Sequence, residues 1–421
     1  MRGDGDGVAA QLRELAPRAL GAVVRRYGAA NFADAEDAVQ EALLAASTSW
    51  CSAGLPDDPL AWLIRVSSRR MADLHRSDEA RRRREDLASS WSKEPPRPAS
   101  GRDDTLALFF MCCHPSLAPG SAVALTLRAV GGLTTKEIAA AFLVPESTMA
   151  QRISRAKRTV AESEKPLTVP DAAHRAARLA LVLRVVYLIF NEGYTASGGS
   201  DLDCAHLAAE AIRIGRLLHA LLPDEPEVTG LLALMLLTHA RRAARTTDTG
   251  TLVPLEAQER SLWDDALIVE GTTLATDALK QGAMGEYTAQ AAIAALHDAA
   301  PRYEETQWDR ILSLYSALER MTDSPVVRLN RAIAVAMVEG PDRGLELLDE
   351  LTTSGALDGS HRLEAVRAHL LEQKGDFEGA RISYVAAAAR SANVRERDYL
   401  VMKAAALGEA LGAVSPPSKG R

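Results

Sequence analysis

Three features of the sequence predict an all-α protein. Alternating valine, isoleucine or threonine runs are scarce, no Asn-Gly turn separates two candidate strands, and apolar residues recur at helical spacing through most of the 421 residues. Hydrophobic residues are 47% and charged residues 25% of the chain, a balance that excludes wholesale disorder and supplies more than one buried core. With aromatics at only 5%, aliphatic and alanine packing must fill those cores. The length predicts two to four domains.

The first helical block runs over 8–84, with breaks near Gly28 to Phe32 and Gly54 to Pro59. Composition then changes abruptly. Residues 85–102, "EDLASSWSKEPPRPASGR", hold three prolines and no helical period, the pattern of a linker. A second block spans 103–165, with breaks at Pro115 to Gly120 and Gly131 to Leu133. A third, 171–411, alternates helical stretches with short breaks at Pro223 to Pro226, Gly282 to Gly285, Pro301 and Ser324-Pro325, leaving 412–421 as a tail. Within the third block, "LNRAIAVAMVEGPDRGLELL" from Leu329 and "LEAVRAHLLEQKGDFEGARISY" from Leu363 superpose with an offset of about 35 residues, the length of a tetratricopeptide hairpin. Gly375 falls at the tight turn, Phe377 at an aromatic wedge, and Ala380 and Tyr384 at close helix contacts.

The net charge of -7 conceals a division. Up to Lys165 there are 23 basic against 21 acidic residues, which leaves 26 against 35 for the remainder. From Trp62 to Arg84, eight arginines face three acids. A duplex responds to such a local patch and not to the sum. No stretch reaches the roughly 18 to 20 apolar residues of a membrane span, the longest being Leu179 to Phe190 and Leu231 to Leu237. No secretory pattern opens the chain, so the cytoplasm is the expected compartment.

The strongest local signal is "LTTKEIAAAFLVPESTMAQRISRAKRTV", Leu133 to Val160. Thr134 or Thr135 caps a short helix, a turn at Leu143-Val144 follows, and Pro145 opens a second helix, which is the grammar of a helix-turn-helix. Met149, Ile153 and Ala156 point inward, while Glu146, Ser147, Thr148, Gln151, Arg152 and Arg155 share an outer face able to bond base edges and phosphates. Any capped helical hairpin with a charged face would share part of this pattern.

Two further segments carry opposite charge. In "DPLAWLIRVSSRRMADLHRSDEARRRR", Asp58 to Arg84, the side chains of Arg65, Arg69, Arg70, Arg76 and Arg81 to Arg84 form a basic stripe suited to phosphates. Trp62 either stacks on an unpaired base or plugs a helix junction. In "ADAEDAVQEALLAA", Ala33 to Ala46, Asp34, Glu36, Asp37 and Glu41 flank an inward face of Ala38, Ala42 and Leu43. These acids either cap and solubilise the helix or dock a protein partner.

Taken in order, the three segments resemble the extracytoplasmic-function (ECF) class of bacterial sigma factors over Leu12 to Val160. The resemblance implies that "DAEDAVQEALL", with Asp34, Asp37, Gln40 and Glu41, docks on the β′ clamp helices of core RNA polymerase, with the β subunit as a further partner. It implies that "PLAWLIRVSSRRMADLHR" binds and opens the -10 element, and that Lys136 and the Pro145 helix serve the -35 element. Arg69 stands where the class commonly has asparagine, and Ala150 where lysine is frequent. "FFMCCHPSL" and "YLIFNEGYTASGG" are similar to a subgroup with a large tetratricopeptide-like C-terminal extension, thought to regulate in place of a separate anti-sigma factor. Asn191, Glu192 and Tyr194 then either cap and pack a helix end, with Gly193 as its left-handed cap, or make an interdomain or regulatory contact.

The alternative is a helix-turn-helix regulator on a repeat scaffold that acts without polymerase, separable by co-purification with core polymerase. Enzyme chemistry is not expected: no Gly-rich phosphate loop, GxSxG elbow or HExxH helix occurs. Cys51, Cys112, Cys113 and Cys204 lack the spacing that organises zinc, so buried reduced thiols are expected, with no metal and no cofactor.

Overall fold

The computed structural model describes residues 3–85, 104–142, 144–163, 170, 172–194, 205–282 and 284–414. Among the described residues the chain is helical, with one isolated β-bridge between Thr246 and Leu252. It divides into two compact units, Met1–Ile189 and Phe190–Arg421.

In the first unit, α1 (Gly3–Tyr27), α2 (Phe32–Ala53) and α3 (Pro59–Glu85) end and begin at the breaks legible in the sequence. Gly28 and Gly54, both with positive φ, end α1 and α2. The core of this lobe is small and aliphatic, including Ala19, Val23, Ala35, Ala42 and Leu63, with Phe32 its largest fully buried ring. Tyr27 ties α1 to α3 by donating to the Ser68 carbonyl at 3.0 Å and stacking on His75 at 5.5 Å. The expected linker falls almost entirely outside the described residues, as do the side chains of Arg81 to Arg84.

Four short helices follow: α4 (Thr105–Cys112), α5 (Pro119–Ala129), α6 (Thr135–Ala141) and α7 (Glu146–Glu162). α4 is buried almost all round, which its run of Leu108, Phe109, Phe110 and Met111 demands. Cys112 and Cys113 are buried as expected, and burial pushes the Cys113 thiol up to about 12. Cys51 departs from the expectation: it lies exposed in the last turn of α2. Cys204 lies outside the described residues. The boundary between the units falls inside α8 (Ala172–Tyr194), whose Arg178 donates to the carbonyl of Phe110 within the first unit.

The second unit continues with α9 (Ala205–Leu221), α10 (Pro226–Ala240), α11 (Asp265–Gln281), α12 (Glu286–Ala299), α13 (Trp308–Met321), α14 (Pro325–Glu339), α15 (Pro341–Thr353), α16 (His361–Lys374), α17 (Phe377–Arg390) and α18 (Val394–Val414). α14 with α15 and α16 with α17 form the two hairpins read from the duplication, turning at Gly340 and Gly375. Gly375 has φ 85°, ψ 8°, a left-handed helix cap. Ala380 and Tyr384 are buried as expected, whereas Phe377, the first residue of α17, is 45% exposed. Glu227 of α10 caps a neighbour, accepting from the Tyr287 and Thr288 amides at 2.9 and 3.0 Å at the start of α12.

Gly193 departs from its expected role. It is helical, and a Cβ there would lie 2.3 Å from the Ala208 amide nitrogen, so its small size lets α8 and α9 touch backbone to backbone.

Residues 241–264, which the sequence offered no reason to separate from the helices, form an excursion of three 3-10 turns and the β-bridge. It carries Trp263 between Arg241 and Arg260, over whose ring the guanidinium carbons lie at 5.9 and 4.4 Å. Beneath it are His297 and Asp298. Burial, reinforced by Arg241 and Arg260, holds the His297 imidazole down to about 3 from its usual 6.5. Burial raises the Asp298 carboxyl to about 6 against the pull of the same arginines.

These two groups oppose each other in acid. His297 is neutral when folded, so its contribution is complete above about pH 6.5 and is lost as pH falls towards about 3. Asp298 takes up its proton earlier in the folded state and favours folding as pH falls from about 6 towards 4. His297→Asn should therefore shift the pH dependence of stability by about one proton over this range, making the variant lose less stability on acidification than the parent. Urea unfolding midpoints at stepped pH measure this directly.

Candidate nucleic-acid and polymerase interface

The helix-turn-helix forms as its residues require. Thr134 caps α6 in a full capping box: its Oγ1 accepts from the Glu137 amide at 3.2 Å, and its own amide donates to Glu137 Oε2 at 2.7 Å. Pro145 sits one position earlier than expected, at the N-cap of α7 with extended ψ of 141°, and Glu146 becomes the first helical residue. Met149, Ile153 and Ala156 are buried, which fixes the rotation of α7. Glu146, Ser147, Thr148, Gln151 and Arg155 are consequently exposed, and Arg152 is half-buried. Lys136 is exposed on α6. The outer face read from the sequence is therefore assembled at the N-terminal half of one helix.

On α3, Arg65, Arg69, Arg70 and Arg76 are exposed, while Leu63 and Met71 are fully buried beneath them. Arg76 pairs with Asp73 on the same helix. Trp62 is half-buried, packed edge-on against the buried Trp50 at 5.5 Å, so its ring forms part of a helix junction. On α2, Asp34, Asp37 and Glu41 share one exposed strip at spacings of three and four, and Gln40 beside them is half-buried. Partial burial raises the Asp37 carboxyl, with Glu36 and Asp34 adding to the shift and Lys157 and Arg128 opposing it. Glu41 accepts from Arg70 Nε at 2.9 Å, joining the acidic strip to the basic one.

Glu36 overturns its reading as a surface acid. It is 1% exposed and lies on the inward side of α2, one turn after Phe32, where Arg128 of α5 meets it at 2.5 Å and Lys157 of α7 pairs with its other oxygen. A second ion pair joins Arg25 of α1 to the buried Asp104 ahead of α4. The α1–α3 lobe and the helix-turn-helix lobe are thus held together by buried charge. The sequence signal was present: Glu36 interrupts the apolar stripe of Phe32, Ala35, Val39 and Ala42.

Of the three residues read as regulatory, Asn191 and Glu192 are half-buried in the last turn of α8. Tyr194 is tied within its own unit: Arg245 Nη1 donates to its carbonyl at 2.5 Å, the Arg245 guanidinium lies 3.7 Å from its ring centre, and the ring stacks on Phe190. Among the described residues there is no cluster of potential metal ligands and no helix long and apolar enough to cross a membrane.

Known proteins match these same segments. Residues 13–82 match sigma-70 region 2, residues 110–160 match sigma-70 region 4, and residues 178–279 match a family of unknown function, DUF6596. An uncharacterized protein of Rhizobium meliloti, R00370, is 43% identical over 395 residues, 92% of each chain. The probable ECF RNA polymerase sigma factor SigI of Mycobacterium tuberculosis is 32% identical over 158 residues, 35% of this chain and 53% of that protein. No solved structure matches. The α1–α3 lobe and the helix-turn-helix are sigma regions 2 and 4 in the order a sigma-70 factor carries them. The chain belongs to the ECF class of that family, with a helical C-terminal extension that overlaps DUF6596. Core RNA polymerase and promoter DNA are the partners this membership implies.

Removing the anion from the buried triad leaves two cations facing an empty site. Glu36→Ala should cost about 3–5 kcal/mol of stability, the usual penalty for breaking a buried pair from one side. Denaturant unfolding of the variant against the parent reads this.

Proposed function

We propose that the chain docks on core polymerase through the acidic strip of α2, with Asp34, Asp37, Gln40 and Glu41 against the β′ clamp helices. The outer face of α7 reads the -35 element in the major groove, and α3 captures unstacked non-template bases at -10 while its arginines neutralise phosphate. The observation that carries this reading is the single exposed face of Ser147, Thr148, Gln151 and Arg155 above a buried Met149 and Ile153. A role for the tetratricopeptide-like extension in controlling the other regions belongs to the same reading, and a soluble cytoplasmic protein without covalent chemistry fits it.

The packed first unit sets a condition. A compact body of 189 residues has a radius of gyration of about 16 Å, whereas -35 and -10 elements lie about 25 base pairs, or about 85 Å, apart along the duplex at about 3.4 Å each. Reaching both at once requires the two lobes to separate and the Glu36 triad to open. On this reading the linker at 85–102 supplies the span.

Run-off transcription with core polymerase and a promoter library tests the whole. Asp37→Lys with Glu41→Lys should abolish co-purification with core polymerase. Arg155→Ala should weaken promoter binding across sequences and reduce the salt slope by about one ion, while Gln151→Ala should change which -35 sequences are chosen. Unaltered polymerase association in the charge-reversed protein would defeat the proposal. A chain ending at Lys165 that transcribes like the full chain would remove the control assigned to the extension.

A further inference from the structure

The second unit contains a cavity of about 400 Å³, within the range of small-molecule sites, lined by residues between Pro254 and Leu400. It lies where the 241–264 excursion folds over α12, α13, α16, α17 and α18. Tyr303, Trp308, Tyr315, Tyr384 and Tyr399 supply an unusual concentration of rings for a chain this poor in aromatics. Trp308 meets the His297 ring edge-on at 5.2 Å and the Tyr303 ring at 5.7 Å, so these rings are set as walls at steep angles to one another.

The charge in this cavity is negative. Glu256, carried on a 3-10 turn of the excursion, is its acidic member, and His297 is held neutral by burial. Burial and the field of Glu256 also raise the phenols of Tyr303 and Tyr399 to about 12, which places the carboxylate electrically close to both rings. Nearby Glu372 is already satisfied, accepting from Lys403 and from the Tyr384 hydroxyl, each at 2.7 Å. Glu256 has no such partner: among the described residues no lysine or arginine pairs with it, and its nearest basic nitrogen is His369 Nε2 at 4.0 Å. His369 Nε2 is itself 3.0 Å from the Gln373 amide nitrogen, which donates to it. The Trp308 indole N–H and His297 Nδ1, both buried, have no hydrogen-bond partner among the described residues.

We propose that this cavity binds a small organic cation, an alkyl or aryl ammonium, with its charge between Glu256 and the aromatic walls. Ring faces attract a desolvated cation through their quadrupoles, and the carboxylate adds a charge-assisted contact. A polar group elsewhere on the ligand meets the Trp308 N–H or His297 Nδ1, which otherwise remain unsatisfied.

Isothermal titration of the full-length protein with choline, tyramine and agmatine tests this, with 3,3-dimethylbutan-1-ol as the uncharged counterpart of choline. At least one cation should bind, choline should bind at least tenfold more tightly than its neutral counterpart if it is that ligand, and Glu256→Gln should weaken the bound cation at least tenfold. The Glu256 side chain is 36% exposed and glutamine keeps its shape, so the variant should keep the parent's melting temperature by circular dichroism. Absence of binding by all three amines, equal binding of choline and its neutral counterpart, or unchanged affinity in Glu256→Gln would overturn the proposal. None of these readouts involves polymerase or DNA, so they stand apart from the promoter experiments.

Discussion

The first unit depends on one carboxylate placed where an apolar residue would ordinarily sit. Glu36 faces inward from α2 and satisfies both Arg128 and Lys157, one from each of two helices in the other lobe. Burial of a charge is costly unless its partners are close, and here the two cations lie within hydrogen-bonding range and are themselves largely covered. A hydrophobic side chain at this position would pack the lobes together more cheaply. It would also hold them without directional preference, whereas an ion triad loses its advantage once the partners move apart and water returns. The charge therefore gives a contact that is specific when closed and inexpensive to exchange for solvent when open. Arg25 with Asp104 repeats the same device at the start of α4.

Most of the helical boundaries were legible because they rest on local chemistry. Gly28, Gly54, Pro59, Pro226 and Pro325 each punctuate the chain for reasons confined to a few residues, and the structure breaks at each of them. The outer face of α7 was legible for the same reason, since three buried residues at helical spacing determine what remains outside. The role of Gly193 was not, because its small size answers to Ala208, fifteen residues further along and on another helix. Glu36 was misread because a helix start is an ordinary place for an acid, and only its phase relative to Phe32 and Val39 distinguishes it. Phe377 was misplaced for the opposite reason: its position in a repeat template suggested burial that this hairpin does not provide.

The excursion at 241–264 was invisible to pattern reading because its order comes from distant partners. Arg260 donates to the carbonyl of His297 at 2.9 Å, and Arg395 donates to that of Gly250. Such long-range bonds hold an irregular segment over a helical scaffold and bring Glu256 to rings spread over nearly a hundred residues of sequence. Family membership accounts for the two sigma regions, while this part of the extension owes its geometry to contacts that only the folded chain displays.

The bond between Glu41 and Arg70 has a thermodynamic corollary. A partner that claims the carboxylate releases the guanidinium, and anything that claims the guanidinium frees the carboxylate. Two ligands approaching opposite ends of this bridge would each lower the work the other must do, by at most about 1 kcal/mol because the pair is solvent-exposed. A single exposed ion pair thus makes the occupancy of one strip modestly sensitive to the occupancy of its neighbour, with no change of shape required.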